Sequence, residues 1–257
     1  MISEAGWKEL LMAKEIFSKR PLSVLIPCFN EEATIEELLG RVLKQSTVGE
    51  VIIVDDCSTD HSAQKILKIK DSRIRYVHNE RNLGKGKSIA RAIALAERQI
   101  IIIQDADLEY APEEYPRLLK PILDGRADVV YGSRFLSYES RRALYYWHRL
   151  GNKLLTTLSN ILTNLDLTDM ETCYKVFRSE YAKKLDIQEN RFGMDPEITA
   201  KVAAMKLRIY EVPISYSGRT YEEGKKITWR DGFSAIRCMI YYNFKFVKKR
   251  TSKHLEN

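Results

Sequence analysis

The densest group of chemically reactive side chains follows four consecutive isoleucines. Residues 100–103 have the length and β-branching of a buried strand, and Asp105, Asp107 and Glu109 come directly after it. Alternate residues of an extended segment point the same way, so we expect these three carboxylates to converge. Oxygen ligands of this kind suit a hard divalent cation. The alternative is a solvated acidic turn before the next helix, and the remaining sequence favours the metal site.

Other polar segments also follow predicted strands. Hydrophobic patterns predict strands over residues 22–27, 48–54 and 73–77, alternating with helices over 34–43, around 66–67 and over 88–99. This alternation predicts an α/β fold with a doubly wound, largely parallel sheet, whose ligands bind beyond the carboxyl ends of the strands. Four polar segments would then line one crevice: residues 27–31, 55–56, 82–87 and 105–109.

Later segments continue the domain. We predict strands over residues 127–131, 173–177 and 207–214, helices over 112–123 and 195–205, one long helix across 137–164, and a mobile loop over 220–229. The domain boundaries we expect are a short amphipathic helix at 1–19, a single domain of mostly parallel sheet flanked by helices at 20–230, and a basic amphipathic tail at 231–257.

Composition restricts the class of partner. The 257 residues carry 42 Lys and Arg against 35 Asp and Glu, and the net charge of +7 favours an anionic partner. We find no basic and aromatic strand face of the kind that binds nucleic acid, so we expect no nucleic-acid partner. No apolar run reaches the roughly 18 residues of a membrane span. The four cysteines lack the spacing of a zinc site, which favours reduced thiols in a cytoplasmic protein.

Five motifs, in this order and spacing, resemble those of family 2 glycosyltransferases with the GT-A fold. They are Val24-Leu-Ile-Pro-Cys-Phe-Asn-Glu31, Ile53-Val-Asp-Asp56, Asn82-Leu-Gly-Lys-Gly86, Asp105-Ala-Asp107 and Gly132-Ser-Arg134. Within that family, residues 168–175 and 219–226 resemble the polyprenyl-phosphate hexosyltransferases, such as dolichyl-phosphate mannose and glucose synthases. The likeness departs from the usual pattern at Glu109, where Gln is common, and at Lys225, where Ser or Thr usually precedes the lysine.

The resemblance implies a donor site for a nucleotide sugar. Asp105, Asp107 and Glu109 would hold Mg2+ or Mn2+ on the diphosphate, with Ala106 between the acids. A loop able to close over the donor would carry two more cations, Arg219 and Lys226. The base and ribose would lie against a further set of residues: Pro27, Phe29, Glu31 and Asp56, with Lys85 beside them.

The acceptor site follows from chemistry. A phosphate monoester is largely ionised near neutral pH, since its second pKa is about 6, so it needs cations more than a base. Arg134 and Arg149 are the candidates, although surface ion pairing is an alternative for both. A hydroxyl acceptor would need Asp169 or Glu171 to take its proton; Asp169 could instead cap a helix or turn.

Together these features predict an inverting, metal-dependent glycosyltransferase with Asp107, Asp169, Arg134 and Lys226 at the reaction centre. It would move a hexose from UDP-glucose or GDP-mannose to a polyprenyl phosphate, and the surroundings of Thr172 and Cys173 slightly favour UDP-glucose. One alternative is a soluble enzyme of the same family acting on a saccharide or protein hydroxyl, and another is a non-catalytic nucleotide-sugar-binding protein.

The polyprenyl acceptor resides in a bilayer, which bears on the tail. A basic amphipathic helix can lie in an anionic membrane interface, or it can pack on the domain or on a second copy of the chain to form a homodimer. We favour the membrane, with a peripheral protein at the inner face.

Overall fold

The structure is a computed structural model that describes residues 20–136, 142, 145–191, 193–219 and 229–255, with the side chains of 229–231 and 246–255 left out. The strands of these residues are β1 (Leu22–Cys28), β2 (Val48–Asp55), β3 (Ile74–His78), β4 (Ile100–Ile103), β5 (Val129–Ser133), β6 (Lys175–Arg178) and β7 (Ile209–Pro213). The helices are α1 (Ile35–Leu43), α2 (Ser62–Lys68), α3 (Lys85–Leu95), α4 (Tyr115–Leu123), α5 (Tyr146–Thr163), α6 (Ser179–Ala182), α7 (Met194–Ala204) and α8 (Trp229–Leu255).

Within the described residues, these strands form one sheet in the order β3-β2-β1-β4-β6-β5-β7. Every neighbouring pair is parallel except those involving β6, which runs antiparallel to both β4 and β5. The α/β fold predicted from the alternation of elements is therefore confirmed, with a mostly parallel sheet. The antiparallel β6 brings the segment that precedes it to the edge where β1, β2 and β4 end.

The main core lies on both faces of the central strands. All residues of β4 are buried, and β1 and β2 are buried at nearly every position, as expected of parallel strands covered by helices on both sides. Helices α1, α3, α4 and α7 contribute to this core. A smaller apolar cluster joins α5 to α8.

Part of the predicted long helix over residues 137–164 falls on 137–141 and 143–144, which lie outside the described residues, and the described Arg142 and Tyr145 are not helical. Helix α5 begins only at Tyr146, because Tyr145 has an extended backbone with ψ 122°. Arg142 donates a hydrogen bond to the carbonyl of Gly218, 3.2 Å away. A contact with a segment this distant in sequence leaves no trace in helical periodicity.

Two predicted segments lie outside the described residues: the helix at 1–19 and nearly all of the loop at 220–229. No helix in the described part of the chain is both long enough and apolar enough to span a bilayer. All four cysteines are free thiols, as expected.

Candidate active site

The buried side-chain amide of Gln104 organises the segment after β4. Strand β4 ends at Ile103, and the residues that follow turn instead of continuing extended, so alternation along a strand is the wrong reason for the acids to converge. Gln104 donates its backbone N–H to the carbonyl of Leu25, and its side-chain oxygen accepts the hydroxyls of Tyr115 and Tyr174 at 2.7 and 2.8 Å. These bonds hold the turn that presents the acids.

Asp105 forms an ion pair with Lys85, whose Nζ lies 2.5 Å from Oδ1. Burial opposes the charge of both groups, yet their attraction outweighs it: the pKa of Asp105 lies below its usual value and that of Lys85 above. The thiol of Cys173 donates to the carbonyl of Ile103, two residues before Asp105, at 3.8 Å. Asp105 is therefore held ionised by Lys85.

The glycine loop before α3 directs Lys85 toward this acid. The carboxylate of Asp56 accepts the backbone N–H groups of Leu83 and Gly84 at 2.8 and 2.7 Å. Gly84 has a φ of +94°, and a Cβ there would lie 2.3 Å from the carbonyl oxygen of Asn190. Only glycine fits this position, and the helix that begins at Lys85 starts where Asp56 fixes it.

Arg219 joins acids from two different strand ends. Its guanidinium lies 3.2 Å from the Glu31 carboxylate, 2.6 Å from Asp107 and 3.3 Å from Glu109. Its backbone N–H also donates to Glu109, at 2.8 Å. Burial first, then repulsion by Asp105 and Glu109, raises the pKa of Asp107 to about 7, although Arg219 opposes this. Asp107 is thus only partly ionised near neutral pH.

The charges of this cluster fit a divalent cation. Four carboxylates are present against the side-chain cations Lys85 and Arg219, which leaves an excess of negative charge when all the acids are ionised. Carboxylate oxygens are the ligands that Mg2+ and Mn2+ prefer. In the described residues, no three acidic, His or Cys side chains converge closely enough to hold a metal ion. Lys85 and Arg219 are instead the cations that these acids contact.

The predicted acceptor arginines both lie near the ring of Phe135. The guanidinium carbons of Arg134 and Arg149 lie 5.6 and 6.0 Å from the ring centre of Phe135, and that of Arg134 is 5.1 Å from the ring of Tyr216. Arg134 also makes a bidentate ion pair with Asp169, both contacts being 2.7 Å. The Asp169 side chain is fully buried and that of Arg134 is 11% exposed, so this is a buried pair.

Surface ion pairing was the alternative role for Arg134 and Arg149, and capping of a helix or turn was the alternative for Asp169. Arg134 is ion-paired, but beneath the surface, whereas Arg149 is exposed. Asp169 accepts the backbone N–H of Arg134 at 3.0 Å in addition to the guanidinium, so both of its oxygens are engaged. A carboxylate held in this way is poorly placed to take a proton from an acceptor.

The other predicted donor residues lie at the same edge. Pro27 lies near the end of β1, and Phe29 follows it with 37% of its surface exposed. Ala106 is buried, and its carbonyl accepts the hydroxyl of Thr34 at 2.9 Å. Lys226 lies outside the described residues.

Three residues of this region escaped the sequence analysis. Gln104 was signalled only by being the first polar residue after a buried run. Lys175 and Asp195 form a buried ion pair of 2.5 Å, which joins β6 to α7. These two residues are twenty positions apart in different elements, so no local pattern links them.

Two comparisons of the amino-acid sequence show which known proteins this chain resembles. Residues 23–186 match the family model described as glycosyl transferase family 2. The polyprenol monophosphomannose synthase of Mycolicibacterium smegmatis is 27% identical over 76% of this chain and 77% of its own length. The dolichol-phosphate mannosyltransferase of Pyrococcus furiosus is 26% identical over 79% of this chain, which spans 58% of that protein.

A comparison of structures gives the same fold. Glucosyl-3-phosphoglycerate synthase from Mycobacterium tuberculosis, crystallised with Mn2+, UDP and glucosyl-3-phosphoglycerate, is similar with a TM-score of 0.68. The match covers 90% of this chain and 82% of that one, at 20% sequence identity. At this identity the likeness establishes the fold alone.

Proposed function

The chain belongs to glycosyl transferase family 2 and is a glycosyltransferase with the GT-A fold, and from this premise we propose that it transfers a hexose from a nucleotide sugar to a polyprenyl phosphate. One observation carries the proposal: Tyr216 joins the carboxylate cluster to the buried pair of Arg134 with Asp169. Its hydroxyl donates to Glu109 at 2.9 Å, and its ring centre lies 5.1 Å from the guanidinium carbon of Arg134. The relatives named above as mannosyltransferase and monophosphomannose synthase support this class of acceptor.

The donor half rests on the acid cluster. We infer that Asp105, Asp107 and Glu109 hold Mg2+ or Mn2+, which would supply positive charge to the leaving diphosphate. Arg219 and Lys226 add cationic groups from the loop after β7. Pro27, Phe29, Glu31 and Asp56 line the place of the base and ribose, and Lys85 holds Asp105 in position.

The acceptor half favours a phosphate over a hydroxyl. A hydroxyl acceptor must lose a proton to a carboxylate, and both oxygens of Asp169 are already bound by Arg134. An ionised phosphate needs no base, and the exposed Arg149 supplies a cation beside Phe135. Arg134 lies near the same ring and would have to share its guanidinium between Asp169 and the phosphate. The anomeric carbon would then be attacked directly by the phosphate oxygen, with inversion.

The location follows from the acceptor. A polyprenyl chain lies in a bilayer, so the enzyme must work at a membrane surface, and the four free thiols favour the reducing, cytoplasmic side. We propose a peripheral protein there.

A transfer assay tests the proposal. Radiolabelled UDP-glucose and GDP-mannose are each incubated with the full chain, polyprenyl phosphate and Mn2+ or Mg2+, and label extracted into organic solvent is counted. Label in the organic phase supports lipid transfer, and its loss in Asp107→Asn supports the metal site. Label found only in an aqueous glycan would contradict the acceptor, and an unimpaired Asp107→Asn enzyme would contradict the role of the acids.

A further inference from the structure

Glu171 has a buried oxygen that lacks a hydrogen-bond partner. Among the described residues, only two side-chain oxygens or nitrogens are shielded from solvent without one: Oε1 of Glu171 and Oγ1 of Thr47. Thr47 precedes β2 and so lies at the opposite edge of the sheet from the acid cluster. A buried acceptor left unpaired costs free energy, so the position of Glu171 needs an explanation.

The backbone around Glu171 is firmly held, so a loose segment does not explain the unpaired oxygen. The N–H of Met170 donates to the hydroxyl of Thr156 at 3.2 Å. The hydroxyl of Thr172 donates to the carbonyl of Gly132 at 2.5 Å. Hydrogen bonds on both sides of Glu171 therefore hold the backbone from which its side chain extends.

The surroundings of Glu171 connect the two halves of the active site. The charges that act on its carboxyl are those of Asp195, Lys175, Arg134 and Asp169. Arg134 belongs to the acceptor side. On the donor side, Asp195 also acts on Lys85, the partner of Asp105. The thiol of Cys173, two residues after Glu171, donates to the carbonyl of Ile103, two residues before Asp105, at 3.8 Å.

The charged neighbours already have partners of their own. Arg134 and Asp169 are paired with each other, as are Lys175 and Asp195. Lys175 also donates to the carbonyl of Thr172 at 2.5 Å. The unpaired oxygen of Glu171 is thus left for a ligand.

The protonation of Glu171 suits a neutral polar ligand. Burial first, and then the charge of Asp195, raises the pKa of Glu171 to about 8. Its carboxyl is therefore mostly protonated near neutral pH, and it can both donate and accept a hydrogen bond. A sugar hydroxyl can do the same.

We propose that Glu171 hydrogen-bonds a hydroxyl group of the transferred hexose and thereby selects the sugar. The inference rests on the proposed function, since the hexose must lie between the diphosphate and the acceptor. Hydroxyl groups of a hexose lose water when the donor binds and need partners in the protein. A sugar without the matching hydroxyl would leave Glu171 unpaired, so it would be bound less well.

Calorimetric titration tests this with two pairs of ligands in Mn2+: UDP-glucose against UDP, and GDP-mannose against GDP. For the pair that the wild-type chain binds, we expect Glu171→Ala to weaken binding of the nucleotide sugar about tenfold and to leave the nucleoside diphosphate unchanged. Glu36→Ala, on the exposed side of α1, is the control and should bind both ligands as the wild type does.

Monodeoxy analogues of the bound sugar identify the hydroxyl. One analogue should bind the wild type about tenfold more weakly than the parent sugar does, and Glu171→Ala should bind that analogue and the parent alike. A purely structural role would weaken the sugar and the diphosphate together and lower the Tm of the variant. We instead expect an equal or higher Tm, because a buried unpaired oxygen is removed.

The outcomes separate this inference from the proposed function. Unchanged sugar binding by Glu171→Ala, or an equal loss for the diphosphate, would overturn the inference alone. A fall in turnover with intact sugar binding would also overturn it, because Glu171 would then act on the reaction and not on the choice of sugar. Failure of the wild-type chain to bind either nucleotide sugar would overturn the proposed function as well.

Discussion

Arg219 is the residue on which the acid cluster depends in this structure. Its guanidinium satisfies three carboxylates that follow two different strands, Glu31 after β1 and Asp107 and Glu109 after β4. A planar group with five donors suits such bridging. A divalent cation held by the same acids has to compete with this arginine.

Replacing Arg219 therefore tests the competition. We expect Arg219→Gln to bind Mn2+ several-fold more tightly in the absence of donor, because the acids lose their internal cation. The variant should also have a lower Tm than the wild type without metal, and Mn2+ should raise its Tm by a larger amount. Electron paramagnetic resonance of free Mn2+ measures the affinity. Arg41→Gln, which removes an ion pair with Glu113 outside the cluster, is the control; equal Mn2+ affinities in all three proteins would contradict the competition.

Breaking the ion pair of Arg134 with Asp169 should destabilise the fold, whereas replacing Arg149 should not. Asp169→Asn leaves a guanidinium that is 11% exposed without its counter-charge, so we expect a loss of about 3–5 kcal/mol in the free energy of unfolding. Arg149 is exposed, and Arg149→Gln should change stability by less than about 0.5 kcal/mol while raising the KM for polyprenyl phosphate. Urea unfolding and acceptor titrations measure the two effects. A stable Asp169→Asn protein would show that the pair is dispensable for folding.

Glu171 should make stability depend on pH. Its pKa of about 8 in the folded chain exceeds the ordinary 4.5, so between these values the unfolded state is ionised while the folded state keeps its proton. The free energy of unfolding therefore falls as pH rises from about 4.5 to about 8. Glu171→Gln lacks this titration, although Asp195, Lys175, Arg134 and Asp169 still surround the site. We expect Tm of the variant, relative to the wild type, to be higher at pH 8.5 than at pH 5; a constant difference would contradict this.

At the level of elements, the sequence predicted the central strands well but placed the start of α3 three residues too late. Strands β1, β2 and β4 were located to within about a residue, since buried parallel strands are continuous apolar runs with polar residues at their ends. The helix predicted to begin at Ser88 begins instead at Lys85. Its start is set by Asp56, which lies in another loop and binds the N–H groups before the helix. Such a long-range cap has no local signature.

A substitution at Gly84 tests how the start of α3 is fixed. Alanine there would have a φ of +94° and a Cβ 2.3 Å from the Asn190 carbonyl oxygen, so we expect Gly84→Ala to destabilise the chain by more than about 1 kcal/mol and to weaken donor binding through Lys85. Gly40→Ala is the matched control, because Gly40 lies inside α1 with nothing within 4 Å of its Cβ position. That change should stabilise by about 0.5–1 kcal/mol. Urea unfolding compares the two; similar effects of both changes would contradict the constraint on the loop.

For the whole molecule, the sequence predicted which loops meet but not how they meet. The carboxyl ends of β1, β2 and β4 had to share an edge once the sheet was parallel. The antiparallel β6 brings Asp169 and Glu171 to the same edge, and Arg219 arrives from the segment after β7. These positions depend on strand order and on pairings between distant segments, which apolar periodicity does not encode.

Helices α5 and α8 expose apolar side chains on the surface of the whole molecule. On α5, Trp147, Leu154 and Ile161 recur every seven residues and are 76%, 62% and 73% exposed. Spacing of seven puts them on one side of the helix. On α8, Phe233 and Phe244 are 67% and 59% exposed. The two helices pack together through a separate buried cluster, so these side chains are not used for that contact.

A bilayer would cover such side chains and attract the basic residues beside them. Arg149 and Lys153 on α5 and Lys245 on α8 are exposed, and each Lys or Arg near an anionic surface contributes about 1 kcal/mol of attraction. We expect the full chain to sediment with vesicles rich in anionic phospholipid, and less with neutral ones or at high salt. Leu154→Ser with Ile161→Ser should reduce binding to the anionic vesicles about tenfold or more, since two large apolar side chains no longer enter the interface. Leu67→Ser, a change of a leucine on α2 that is 53% exposed, should have no effect. Equal vesicle binding by all three proteins would indicate that charge alone attracts the chain to the membrane. If the wild type bound no vesicles, the surface of α5 and α8 would not be the one that reaches the lipid acceptor.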